Sequence, residues 1–359
     1  MRITFLTPPF AVCGGHRVIA SHAHELALLG NEVTVVSQPL LRNRSWLERL
    51  TGSRRANGSP AHEQDGGVLF PLGTKVRHLV IESERPIAET DLPDADAVVA
   101  TWWETAEWVG KLSPSKGRKF YFVQGHEIFS FLPIDRVRAT YRLPLKKIVV
   151  ASWLRDVMAS EYGDPTAVVV PNAVNHQLFY APPRQKQATP VVGFIWTTTE
   201  VKGGGIVLQA VRILQRSNPS LRMVSFGQVP PSQAMLKLGV LHKMLPPQDE
   251  LRSLYATCDA WLMASRSEGF FLPAMEAMAC RTPVVCTPTG WPAEAVRDRI
   301  NGRLVPFDDH VALADAAQWI IDLPDAQWRQ LSEAAHATVA TASWRCSAQL
   351  FLDALRSEA

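Results

Sequence analysis

Glu268-Gly269-Phe270-Phe271-Leu272-Pro273-Ala274-Met275-Glu276 holds two carboxylates eight positions apart, across a loop that turns into a helix. Proline suits the first helical position, where its missing N–H would have no partner in any case. The Ala-Met-Glu-Ala-Met-Ala run after Pro273 is strongly helix-forming. This reading puts Glu276 in the first helical turn and Glu268 in the loop before it. The helix N-terminus between them offers free amides and partial positive charge, a seat for an anion such as a diphosphate. Two acceptors flanking that seat could hold sugar hydroxyls on both sides. The plainer alternative is a capped surface helix with incidental acids.

Outward from this run, the chain reads as two α/β halves, and its 359 residues suffice for two domains with a core each. Arg2–Thr7 alternates as a buried strand, His16–Leu29 has helical periodicity ending at Gly30, and Glu32–Ser37 is a second β-branched strand. This βαβ start carries Gly14-Gly15 at the carboxyl end of its first strand, where doubly wound sheets bind ligands. Strands at 76–81, 97–101, 120–123, 147–151 and 167–170, alternating with helices, predict a parallel sheet. After the proline-bearing linker 181–190 the pattern restarts. A strand at 191–195 leads to glycines 203–205, a helix at 206–215 and a strand at 221–226. Helices at 311–322 and 325–341 and a last amphipathic one at 344–357 complete the chain, and residues 52–67 show no periodicity.

No apolar run reaches the length of a bilayer span, and the chain enters a strand pattern at once without a secretion signal. A net charge of +3 does not argue for a nucleic-acid partner. The five cysteines (13, 258, 280, 286, 346) have no paired metal spacing and read as small buried hydrophobes of a reducing compartment. The expected location is the cytoplasm.

Residues 248–306 add the Gln248–Ser265 stretch, Thr282-Pro283-Val284-Val285, Gly290 and Asn301-Gly302-Arg303-Leu304-Val305-Pro306 to the two-glutamate run. With Pro171-Asn172-Ala173-Val174, Lys202-Gly203 and Gly14-Gly15, the chain resembles the retaining glycosyltransferases of family 4, which have the GT-B fold. That resemblance implies an α/β chain of two Rossmann-like doubly wound domains with the donor in an interdomain cleft. Residues 1–172 would be the acceptor domain and 173–340 the nucleotide-sugar domain, with a final helix, 341–359, packing back on the first. It also implies a nucleotide-diphosphate sugar donor, a glycan or lipid-linked acceptor, no cofactor and no metal. The Phe122-Val-Gln-Gly-His-Glu127 and Ala100-Thr-Trp-Trp103 runs look closest to bacterial surface-polysaccharide enzymes, including rhamnosyltransferases.

By the same resemblance, Glu276 would accept hydrogen bonds from ribose hydroxyls and Glu268 would contact the donor sugar near its 3- or 4-hydroxyl. His126 would lie close to the donor sugar and the acceptor; its alternative is a loop histidine capping backbone groups. The amides of Phe271 and Leu272 would face the diphosphate. Gly14-Gly15 either lets a phosphate approach the backbone or makes a tight turn. Lys202, before Gly203-Gly204-Gly205 and a helix, would reach the diphosphate or lie on the surface. Similar enzymes carry Arg five positions earlier, where this chain has Thr197. Arg grips phosphate bidentately and Lys does not, so Arg266 and Arg17 are the candidate substitutes. Phe271 and Arg281 stand where glycines are usual.

Three further stretches bear on partners. His22 and His24 lie about 200° apart on a helix and cannot chelate from one face. Asp94-Ala-Asp96 precedes a buried strand. Trp102-Trp103-Glu104 could stack on and hydrogen-bond an acceptor sugar, or supply core aromatics. Residues 40–55 hold five arginines, one acid and an apolar stripe with Trp46, the composition of a helix on an anionic membrane or of a solvated face. Two other functions compete: a non-catalytic nucleotide-sugar binding partner of another glycosyltransferase, and a dehydrogenase. The second is disfavoured because Gly-x-Gly-x-x-Gly is missing and Val35-Val36-Ser37-Gln38 ends without a ribose-binding acid.

Overall fold

The computed structural model describes residues 1–10, 13–40 and 72–357. The basic segment 40–55, apart from Leu40, and the stretch 52–67 therefore lie outside the described residues. The chain divides into two units, one of residues 1–172 with 344–359 and one of residues 173–343.

In the first unit, β1 (Arg2–Thr7), β2 (Glu32–Ser37), β3 (Val76–Val80), β4 (Ala97–Ala100), β5 (Arg118–Val123), β6 (Lys146–Val149) and β7 (Val168–Val169) form one parallel sheet. Its order is β3-β2-β1-β4-β5-β6-β7. The central strands are buried on both faces, β4 at every residue, as helix-covered parallel strands must be. The order reverses at β1, in register Ile3↔Val33 on one side and Ile3↔Ala97 on the other. The carboxyl ends of β1 and β4 thus form the switch-point crevice where such sheets bind ligands. The Trp344–Arg356 helix belongs to this unit. Its Phe351 packs on Phe5, Phe122 and His22, with ring centroids 5.8, 5.1 and 4.8 Å apart.

In the second unit, β8 (Val191–Trp196), β9 (Arg222–Gly227), β10 (Leu241–Met244), β11 (Ala260–Met263), β12 (Val284–Cys286) and β13 (Gly302–Leu304) form a parallel sheet of order β10-β9-β8-β11-β12-β13. Its switch point lies between β8 and β11, which pair Ala260↔Val192. Phe194, Leu262 and Val285 join Val207, Val211, Leu313 and Ala317 from the helices in one core. This topology brings the loop after β8, with Lys202, beside the loop after β11, with Glu268.

Several sequence expectations change. The helix after the two-glutamate loop is Leu272–Ala279, so Pro273 is its second residue and Glu276 its fifth, just past the first turn. The cause is Phe271, which ends the loop in the left-handed region at φ 81°. Arg281 is also left-handed, at φ 59°, where a non-glycine residue costs up to about 1 kcal/mol. Its side chain offsets this, because the buried guanidinium donates to the Ala181 carbonyl at 3.0 Å and pairs with Glu333. Asp94 and Asp96 are ion-paired to Lys116 at 2.9 Å and Arg2 at 3.0 Å.

Candidate active site

β8 runs out at Trp196 into Thr197, and a 3-10 turn, Glu200–Lys202, follows. Gly203 closes that turn and opens the Gly204–Ser217 helix. Gly203 has φ 68°, and a Cβ built there would lie 2.0 Å from the Ala264 carbonyl oxygen, at the end of β11. Only glycine lets the two switch-point loops come this close. We expect Gly203→Ala to destabilise the protein by roughly 3 kcal/mol, from the left-handed backbone and the clash together. Chemical denaturation of the two proteins measures this directly.

The close approach carries Lys202 onto Glu268. Lys202 Nζ donates to Glu268 Oε2 at 2.6 Å, and Ser265 Oγ donates to Glu268 Oε1 at 2.8 Å. The Glu268 amide donates to Thr289 Oγ1 at 3.1 Å, which fixes the loop backbone. The Glu268 side chain is 10% exposed and that of Lys202 40%. A pair open to water on one side adds little to stability, of order 1 kcal/mol or less. An incoming anion can therefore take the ammonium without dismantling the fold. The next residues enter the Leu272–Ala279 helix, where Pro273 has no N–H and the Ala274 amide donates to the Phe271 carbonyl at 3.1 Å, which leaves the Leu272 amide outside the helical ladder. The loop thus combines an ammonium, a carboxylate and a helix N-terminus, the complement of a diphosphate with a hydroxylated group attached.

Glu276 is buried, 3% exposed, and accepts a hydrogen bond from the Tyr255 hydroxyl at 3.0 Å. Phe271 is half-buried and Leu272 buried. Arg266, a candidate for the phosphate cation, is already held by two acids. Its Nε meets Asp308 at 2.7 Å and an Nη meets Glu200 at 3.0 Å, while its amide donates to the Val201 carbonyl. That makes it a clasp on the Lys202 turn, shared between two exposed acids. Thr197, Glu200, Gly204, Gln209, Arg266 and Asp308 are among the residues lining a cleft of about 380 Å³ beside this turn.

In the first unit the sequence-selected residues gather at the carboxyl edge of the sheet. Gly14 and Gly15 follow β1 and begin the Gly14–Leu28 helix, neither with positive φ. A Cβ at Gly14 would meet no atom within 4 Å among the described residues. Among the described residues neither backbone conformation nor packing demands glycine at Gly14. Trp102, Trp103 and Glu104 follow β4, and His126 follows β5. Trp103 is a correction: it is 3% exposed, with the Arg136 guanidinium 4.9 Å from its ring centroid. Its faces are covered and cannot stack on a sugar. Trp102 and Glu104 are half-buried at the start of the Trp103–Lys111 helix, and burial raises the Glu104 carboxyl above its ordinary range. His126 Nε2 lies 2.6 Å from the Tyr162 hydroxyl, and burial lowers its pKa.

Ser265, Tyr255, Tyr141 and Tyr162 were not found by sequence reasoning. Ser265 lies three residues before Glu268, a spacing that could have suggested it. The tyrosines reach their partners over 14 to 36 positions, and no local signal marks them.

The two doubly wound Rossmann-like units define the fold class as α/β, GT-B. Residues 180–338, which include Lys202, Glu268 and Glu276, match the family model for glycosyl transferases group 1. The D-inositol 3-phosphate glycosyltransferase of Saccharomonospora viridis is 31% identical over 183 residues, 46% of this chain and 42% of that protein. That of Corynebacterium diphtheriae is 30% identical over 212 residues, 52% of this chain and 49% of that protein. The chain thus matches about half or less of the length of these curated relatives. Sucrose-phosphate synthase from Thermosynechococcus elongatus superimposes with a TM-score of 0.74 at 16% identity, covering 99% of this chain and 98% of that one. HepE of Anabaena, in complex with UDP and glucose, gives 0.73 at 16% identity over the whole of both chains. At this identity the structural likenesses concern the fold.

Proposed function

We propose that the protein is a retaining, metal-independent glycosyltransferase. It moves a hexose or deoxyhexose from a nucleotide-diphosphate sugar to a hydroxyl of a glycan, lipid-linked or small-molecule acceptor. The observation that carries this reading is the Lys202–Glu268 pair at the β8/β11 switch point, beside the start of the Leu272–Ala279 helix. The group 1 match over those same residues supports it, and the UDP and glucose bound to HepE support a nucleotide-sugar donor.

In this reading the sugar–phosphate bond lengthens while negative charge gathers on the departing diphosphate. Lys202 leaves Glu268 for that charge, and the amides of Phe271 and Leu272 add fixed donors. Glu268, released from the ammonium, accepts from the sugar's hydroxyls and orients the ring. The acceptor hydroxyl attacks from the face the diphosphate leaves, and the leaving phosphate takes its proton. Glu276 receives ribose hydroxyls, with Tyr255 fixing its other contact. Gly14, Gly15 and His126 keep the donor-side roles the resemblance implies, and Trp102 and Glu104 the acceptor-side ones.

A second reading, a non-catalytic nucleotide-sugar binding partner, is favoured by Thr197 in the arginine position and by the engagement of Arg266 with two acids. One experiment separates the two. The protein is incubated with UDP-, GDP- and dTDP-linked sugars, and thermal stabilisation and slow donor hydrolysis are both followed. The enzyme shows stabilisation and hydrolysis with the same donor; the binding partner shows stabilisation alone. Glu276→Ala should weaken binding of that donor about tenfold or more, the loss of a charge-assisted hydrogen bond of roughly 1.5–3 kcal/mol. Unchanged affinity by calorimetry would remove Glu276 from the site.

A further inference from the structure

His126 is held more closely than a loop histidine needs. The Tyr141 hydroxyl accepts the Glu127 N–H at 3.0 Å and donates to the Gly125 carbonyl at 3.2 Å, so one side chain grips the peptides on both sides of His126. Tyr141 is fully buried and stacks on Tyr121 with centroids 5.7 Å apart. Glu127, 6% exposed, turns its carboxyl to the Trp103 amide, tying the loop after β5 to the turn after β4. Tyr162, the last residue of the Ser152–Tyr162 helix, then meets the ring itself at 2.6 Å.

Of the two groups the phenol is the stronger hydrogen-bond donor and the imidazole nitrogen the stronger acceptor, so O–H···N is the favoured direction across this contact. A neutral imidazole has one donor nitrogen and one acceptor nitrogen, and the partner of one sets the other.

We propose that Tyr162 is a positioning residue that donates its hydroxyl proton to His126 Nε2, so that His126 works as a neutral hydrogen-bond donor through Nδ1–H and not as a general base. Tyr141 fixes the backbone from which the ring projects. This rests on His126 acting in the proposed transfer, and it fits chemistry in which the leaving phosphate takes the acceptor's proton. It gives His126 the task of holding a sugar or phosphate oxygen. The charged and titratable groups facing the ring are Glu161, Arg138, Tyr141 and Tyr162, with the Arg142 guanidinium over the Tyr162 ring at 5.1 Å. Burial outweighs Glu161 and keeps the imidazole neutral at pH 7.

The test is two-bond proton–nitrogen NMR of histidine-labelled protein at pH 7, with His126→Gln used to assign the resonance. The expected spectrum shows Nε2 bare and Nδ1 protonated. Tyr162→Phe should shift the ring toward the other tautomer and lower kcat five- to twentyfold, with KM for the donor within twofold. Tyr141→Phe strips two buried peptide groups of their partner, so the half-buried Tyr162 carries the test. A wild-type spectrum with protonated Nε2 overturns the inference, as does a Tyr162→Phe protein with unchanged tautomer and kcat. If His126→Gln transfers sugar at the wild-type rate, the role of His126 itself fails, whatever the NMR shows.

Discussion

Lys202→Ala is expected to slow sugar transfer by about two to three orders of magnitude, the usual loss when one fixed donor to a developing anion is removed. Its effect on stability should stay near 1 kcal/mol, because the ammonium end of the Lys202–Glu268 pair is 40% exposed. That contrast is the signature of a group held for the reaction. With Arg266 facing Glu200 and Asp308, Lys202 is the cation that the proposed reaction sets against the diphosphate at the end of β8. Lys202→Arg keeps the charge on a longer, planar head and should recover part of the rate. Single-turnover measurements with the donor that stabilises the protein separate chemistry from binding. A Lys202→Ala enzyme within tenfold of wild type would mean that the diphosphate is stabilised elsewhere.

The second large effect concerns stability in acid. His22 is fully buried between Phe122, Trp344 and Phe351, and neither ring nitrogen has a hydrogen-bond partner among the described residues. Burial pushes its pKa from 6.5 down to about 3. Between these values the unfolded chain holds the proton and the folded chain does not. The stability His22 contributes as a neutral ring is therefore complete above pH 6.5 and drains away as pH falls toward 3. The loss amounts to on the order of 4 kcal/mol by pH 3. Below that pH the ring protonates in place, against the underside of the Trp344–Arg356 helix. His22→Leu fills the same space without a titrating group. The difference in unfolding free energy between variant and wild type should be smallest above pH 7 and grow steadily below pH 6. A constant difference across that range would show that His22 is not buried neutral.

The parts of this molecule that were legible in the sequence are those written in local patterns. β1, β2 and β8 announce themselves as short β-branched runs, and the 203–205 glycines mark a loop entering a helix. The edge strand β10 was missed because Leu-His-Lys-Met has neither alternation nor burial; Leu241 and Met244 are exposed. The bounds of the helix after the two-glutamate loop were misjudged by one residue. Proline marks the helix start in sequence, but the left-handed Phe271 makes Leu272 the first residue. The burial of Trp103 could have been read from its spacing with Ala106 and Val109, which share its helix face and are also buried. The contact that defines the candidate site could not. Lys202 and Glu268 are 66 positions apart, and they meet because β8 and β11 are neighbours across a crossover. The tyrosines around His126 and Glu276 share this property: tertiary packing places them, and their local sequence carries no mark of it.

The most direct measurement is a crystal structure of the protein with the stabilising nucleotide sugar bound. The diphosphate should lie within about 3 Å of Lys202 Nζ and of amides at the start of the Leu272–Ala279 helix. The Lys202–Glu268 pair should be opened and the Glu268 carboxylate turned to the sugar. A nucleotide bound away from residues 268–276, with that ion pair still closed, would contradict the account.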